Sequence, residues 1–205
     1  MKNFLILIIF FCSVTTKSQN ADKEKFQKNK YELAVSYLKK SNYIKALEQF
    51  SIASKIKPET EIAINSLQEI DTLKDILRKE ILEKISGTWI MTGNKPIWTV
   101  DSHKEFKEKN NDELIEVNQD KILFYKQDRK SKIKTLIKTE DLVYFNNDRA
   151  DDLYSAIILS DGKIWDYYLD ENNTVLRAIN IAKKGRKGVE KIETNNKEVY
   201  YTKAK

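Results

Sequence analysis

Residues 77–92 read Leu-Arg-Lys-Glu-Ile-Leu-Glu-Lys-Ile-Ser-Gly-Thr-Trp-Ile-Met-Thr, and the chain changes texture inside this stretch. Up to Ile85 the apolar residues Leu73, Leu77, Ile81 and Ile85 recur every fourth position, the period of one helix face. From Gly87 onward apolar residues come in short alternating runs separated by polar turns, the period of strands. A helical part followed by a β part is therefore expected, segregated along the chain as an α+β fold.

Upstream of the switch, residues 22–85 contain no Gly and a single Pro, Pro58, and are rich in Ala, Leu, Ile, Lys and Glu. Tyr31, Ala34, Tyr37 and Leu38 mark the apolar face of one helix, Ser41-Asn42 a turn, and Ala46, Leu47, Phe50 and Ala53 the face of a second that stops at Lys57-Pro58. Ile62, Leu67, Ile70, Leu73, Leu77, Ile81 and Ile85 continue as one long amphipathic helix from about Glu61 to Lys84, read as a capping and connecting helix.

Leu33, Ala34, Tyr37, Tyr43, Ala46, Phe50, Ala53 and Pro58 fall at the offsets of one tetratricopeptide unit, and residues 27–60 resemble a single such repeat. Ser41 stands where the turn glycine is usual, and Lys30 where an early large apolar residue is common. The resemblance implies that Phe50 fills the hole between the two helices. It also implies a peptide groove along the first helix, lined here by Lys28, Tyr31, Val35, Leu38 and Lys39. Val35 occupies the place of the Asn with which some relatives clamp a terminal carboxylate, which disfavours such a ligand. An isolated repeat cannot bury its faces, so the arm is expected to lean on its third helix and to dock on the β part.

Downstream, strands are expected near 88–92, 96–100, 113–118, 121–126, 132–138, 141–146, 153–160, 163–169, 174–182 and 197–203, with Asp161-Gly162 the strongest hairpin signal. Eight to ten sequential antiparallel strands suggest a meander closed into a barrel. Gly87-Thr88-Trp89 at the first strand resembles the opening of lipocalin-like calycin barrels. The resemblance implies that Trp89 plugs one end, with Arg177 as the counterpart of the arginine that covers it. Trp98, Tyr125, Trp165 and Tyr167 are candidates to line a cavity for a small apolar ligand, although aromatics in a small barrel more often fill it. Residues 101–112 are read as a solvated loop or a lid, and Lys183-Lys184-Gly185-Arg186-Lys187-Gly188 as a solvated loop.

Composition bounds the function. With one His, His103, and one Cys, Cys12, neither a Cys-His or Ser-His-Asp arrangement nor a clustered metal site is expected, and no Walker, calcium or phosphate-cradling motif is present. No catalytic residue, metal or cofactor is assigned. Met1-Lys2-Asn3, the apolar run Phe4–Cys12 and the small residues Thr16 and Ser18 have the anatomy of a secretory signal, with cleavage expected between Ser18 and Gln19. The organisation is thus residues 1–18 signal, 19–86 helical arm and 87–205 β domain.

Removing Lys2 and Lys17 leaves 35 basic and 31 acidic residues, spread as 13 and 11 before Gly87 and 22 and 20 from it onward, which is not a nucleic-acid footprint. The expected protein is an exported, monomeric, non-enzymatic interaction module of a bacterial envelope, periplasmic or secreted. It has no membrane span once matured and a protein as its partner, and a carrier of a small apolar ligand is the alternative. Intact-mass measurement on protein from the exporting cell checks the leader: a chain beginning at Gln19 is expected, and one retaining Met1–Ser18 or carrying lipid on Cys12 refutes it.

Overall fold

The computed structural model describes residues 2–95, 110–146 and 148–204, with side chains from Asn20 onward. The expected strand 96–100 with Trp98, the segment 101–109 with His103, and the side chain of Cys12 lie outside this description. The fold is α+β and segregated: α1 (Lys2–Lys39), α2 (Tyr43–Ile56) and α3 (Glu61–Ile85) precede an antiparallel sheet of β1 (Gly87–Gly93), β2 (Asn111–Val117), β3 (Lys121–Asp128), β4 (Lys134–Asp141), β5 (Ile157–Ile158), β6 (Lys163–Leu169), β7 (Val175–Gly185), β8 (Gly188–Lys191) and β9 (Glu198–Lys203). The chain divides into two compact units, residues 1–77 with 148–152 and residues 78–147 with 153–205. Among the described residues no helix is long and apolar enough to cross a membrane.

In the first unit, α1 ends where the Ser41 N–H reaches the Leu38 carbonyl and the Asn42 N–H reaches that of Tyr37, at 2.9 and 3.0 Å. This Schellman pair places Ser41 at φ +55°, a left-handed position that normally selects glycine. Asn42 then caps α2, its side chain accepting from the Lys45 N–H. Ala34, Ala46 and Ala53 are fully buried, and Phe50 lies among them, also fully buried, with the ring of Tyr31 edge-on at 5.5 Å.

A buried polar side chain organises the far end of the helices. The Gln27 amide donates to the carbonyls of Ala53 (2.9 Å) and Lys57 (3.1 Å), which the end of α2 leaves without helical partners, and accepts from the Thr60 hydroxyl at 3.0 Å. Thr60 in turn caps α3 through its backbone carbonyl and hydroxyl. Residues 148–152 complete this unit. Asp151 pairs with the buried Lys74 ammonium at 2.6 Å, Ser51 donates to the Ala150 carbonyl, and Arg149 pairs with Asp71.

The second unit begins with the last two turns of α3. Ile81 and Ile85 share a buried cluster with Trp89, Ile115, Val117, Ile122, Ile157, Tyr167, Leu176 and Tyr201, drawn from the inward faces of seven strands. The path of the sheet is β4-β3-β2-β1-β9-β7-β6-β5, with β8 pairing β7. The closed ladder expected of a barrel is thus corrected to an open path. Its end strands are joined beyond β4 by an isolated bridge, Tyr144–Ile157, with Phe145 donating to Ala156 and Ile158 to Val143.

The expected strands 141–146 and 153–160 shrink to this bridge and to β5, because the chain between them leaves the sheet to join the helical unit. The basic stretch 183–188, expected as a loop, is instead the end of β7 and its tight turn into β8. The Asp161-Gly162 turn is as expected. Gly162 has φ +80°, and a Cβ there would meet the Lys184 carbonyl oxygen at 2.6 Å, so only glycine fits.

Gln27→Ala would remove the side-chain donor of the buried Ala53 carbonyl and the acceptor of the Thr60 hydroxyl, while the Lys57 carbonyl keeps the Thr60 N–H. Unfolding by urea is expected to show a loss of about 2 kcal/mol, and a loss below about 0.5 kcal/mol would show that Gln27 is dispensable.

Candidate functional site

On α1 the residues expected to form a groove share one stripe at helical spacing. Lys28 and Lys39 are exposed, Lys28 facing Glu32 at 3.8 Å, while Val35 and Leu38 are half-buried. Tyr31 turns toward Phe50 and serves the core. Among the described residues, the most exposed apolar side chains of the helix stand on the opposite flank, which the sequence reading does not propose as a binding surface. Phe26 is 51% and Leu33 40% exposed, with half-buried Tyr37 one turn further on. Lys30 lies over the Phe26 ring at 5.3 Å and reaches Gln49, and Lys45 lies over the Tyr37 ring at 5.6 Å. The available signal was the spacing of Phe26, Leu33 and Tyr37, seven and four residues apart.

The expected lining set does not come together in the β unit. Trp165 and Tyr167 share the inward face of β6, Tyr167 within the buried cluster and Trp165 against it. Tyr125 stands on the outward face of β3, opposite Leu114 and Leu136, because alternation gives the inward place to Phe124. Trp98 lies outside the described residues. Burial pushes the Tyr167 phenol well above its usual range, with neighbouring Tyr201 and Glu140 adding to the effect. The inward face is occupied by large side chains, but the Trp165 indole Nε1 is buried without a hydrogen-bond partner among the described residues.

Trp89 is fully buried, and its Nε1 donates to the Ile85 carbonyl at 2.7 Å. The cation over its ring is Lys203, at 5.4 Å, whereas Arg177 forks onto Glu198 at 2.6 and 3.0 Å and lies over Tyr200. The register aligns Tyr168, Arg177 and Tyr200 across β6, β7 and β9, so they share a face. Beside them the buried Asp166 accepts from the hydroxyls of Ser155 (2.5 Å) and Tyr168. Arg177 and the Tyr200 hydroxyl hold the Glu198 carboxyl below its usual value, against the opposing effect of burial.

Glu140 is a further buried acid. It accepts from the backbone N–H and hydroxyl of Ser160, both at 2.8 Å, and pairs with Lys138. These groups could orient a polar ligand, but the described residues contain no cluster of three or more His, Cys, Asp or Glu placed to hold a metal ion.

Burial alone would raise the Glu140 carboxyl, yet Lys138 and Ser160 outweigh it and hold the group below its ordinary 4.5. A lowered folded value gives stability that is present above pH ~4.5 and lost as pH falls through the folded value. Denaturant melts from pH 7 to pH 3 are expected to show a shallower acid decline for Glu140→Gln than for the parent chain. Parallel declines would show that Glu140 does not contribute.

Comparison with protein-family models, curated proteins and solved structures finds no match to this chain.

Proposed function

We infer that the chain is an exported, non-enzymatic protein-interaction module. Its helical part works as a single tetratricopeptide-like repeat with a capping helix, and its β part as a lipocalin-like scaffold. The observation that carries this reading is the apolar flank of α1, where Phe26 and Leu33 stay in contact with water beside a helix pair whose buried interior holds Phe50. A large exposed side chain beside another, fringed by Lys30 and Lys45, is the composition of a partner-binding surface. The repeat reading is supported by the buried alanines at the helix contacts and by Ser41 in the left-handed turn position. The scaffold reading is supported by buried Trp89 at the head of β1 with a cation over its ring.

A second reading rests on one observation. The unpartnered Trp165 Nε1 behind the inward face would suit a small apolar ligand bearing a single acceptor oxygen, held by the β unit. Solvent extraction of the natively purified protein followed by mass spectrometry separates the two, since a carrier yields a stoichiometric small molecule.

A photo-crosslinking residue at position 33 is expected to trap one discrete protein in intact exporting cells. The same residue at position 125 should not, and Phe26→Asp should abolish the product. Equal labelling from both positions, or a product insensitive to Phe26→Asp, would overturn the interaction reading.

A further inference from the structure

Strand β4 ends the path of the sheet, so one of its edges has no strand beside it among the described residues. The bridge that links the ends of the path lies beyond β4, at Tyr144, and no strand among the described residues pairs the edge along 134–139. Natural sheets blunt such edges with short strands, prolines or inward charges. β4 is eight residues long, has no proline, and carries Leu136 and Ile137 with Ile133 just before it, exposed by 51, 60 and 66%. The register shifts opposite Phe124 and Tyr125, so Ile137 is the extra residue of a bulge with no cross-strand partner.

Charge defines the occupant. Residues 129–138 read Arg-Lys-Ser-Lys-Ile-Lys-Thr-Leu-Ile-Lys, five basic residues and no acidic one. Lys134 lies over the ring of Tyr125 on the same outward face as Leu136, and Lys138 is tied to Glu140. A second copy pairing through this edge would set basic residues against basic residues, which is unfavourable across a ladder. A membrane surface would accept the lysines and isoleucines but cannot pair the alternating N–H and C=O groups of an open edge.

We propose that the edge of β4 takes an extended peptide segment of a partner protein, added as a further strand by main-chain hydrogen bonds, whose outward-facing side chains are acidic toward one end and apolar toward the other. The acidic residues meet Lys132 and Lys134, and the apolar ones cover Leu136 and Ile137. This surface belongs to the β unit alone and does not depend on α1 having a partner.

The test uses the full mature chain and a fluorescent, end-capped ten-residue peptide, Thr-Val-Thr-Val-Thr-Val-Thr-Glu-Thr-Glu, whose one face runs from apolar to acidic. Binding is expected to weaken at least tenfold in Leu136→Lys and in Lys132→Glu/Lys134→Glu. Both variants change exposed side chains and should keep the parent melting temperature. Peptide addition should slow amide exchange along 134–139, as backbone pairing requires. Failure of the peptide to bind, or binding unchanged in both variants, overturns the proposal. So does binding without slowed exchange along the edge. Two further outcomes overturn it in favour of another occupant: Leu136-dependent sedimentation with vesicles containing phosphatidylglycerol in place of peptide binding, or Leu136-dependent dimerisation by ultracentrifugation.

Discussion

The β unit depends on the bond from the Trp89 indole to the carbonyl of Ile85. A helix leaves its last carbonyls without partners, and one of those of α3 would otherwise be buried against the sheet. Trp89 satisfies it with the polar edge of a ring whose remaining area fills the cluster around Ile115, Leu176 and Tyr201. Gly87, at φ +113°, makes the change of direction between the two residues possible within four positions. Helix end, turn and first strand are thus one joint, and the registers of β2 and β9 follow from the placement of β1 between them. Arg78, two turns earlier, binds the Tyr154 carbonyl and the Asn146 side chain and lies over the Tyr144 ring. The Tyr144 hydroxyl donates back to the Arg78 carbonyl. The same helix segment therefore also holds the residue that bridges the ends of the sheet.

Where periodicity and burial agree, the sequence is a good guide. The strand 163–169 has the expected bounds, and the inward placement of Tyr167 follows from simple alternation. The helix boundaries near Ser41 and Pro58 are written in residues whose backbone preferences act locally. The alanines at 34, 46 and 53 announce close helix contacts through size alone.

What escaped is non-local or carried by polar residues. Gln27 on a helix reads as solvent-facing until the end of α2 is brought over it, and Glu140 reads as a surface charge until Ser160 closes on it. The strand β8 has too few apolar residues to register, because it is held by pairing to β7 and not by burial. Tyr125, as an aromatic, is a candidate to line a cavity, but its parity with Phe124 puts it outside. The basic, apolar stretch 129–138 was legible as composition. Its meaning required knowing that β4 terminates the sheet.

The pairing of Lys74 with Asp151 has a consequence for the order in which the protein is made. The two residues belong to the same compact unit but are separated by 77 positions, so a ribosome has delivered all three helices and four of the nine strands before the carboxylate exists. Until then Lys74 has no Asp151 in reach, and a buried ammonium without an anion is strongly disfavoured. The helical unit cannot mature domain by domain from its N-terminus. Its assembly is coupled to the arrival of residues 148–152, which keeps the chain loosely structured for longer during synthesis.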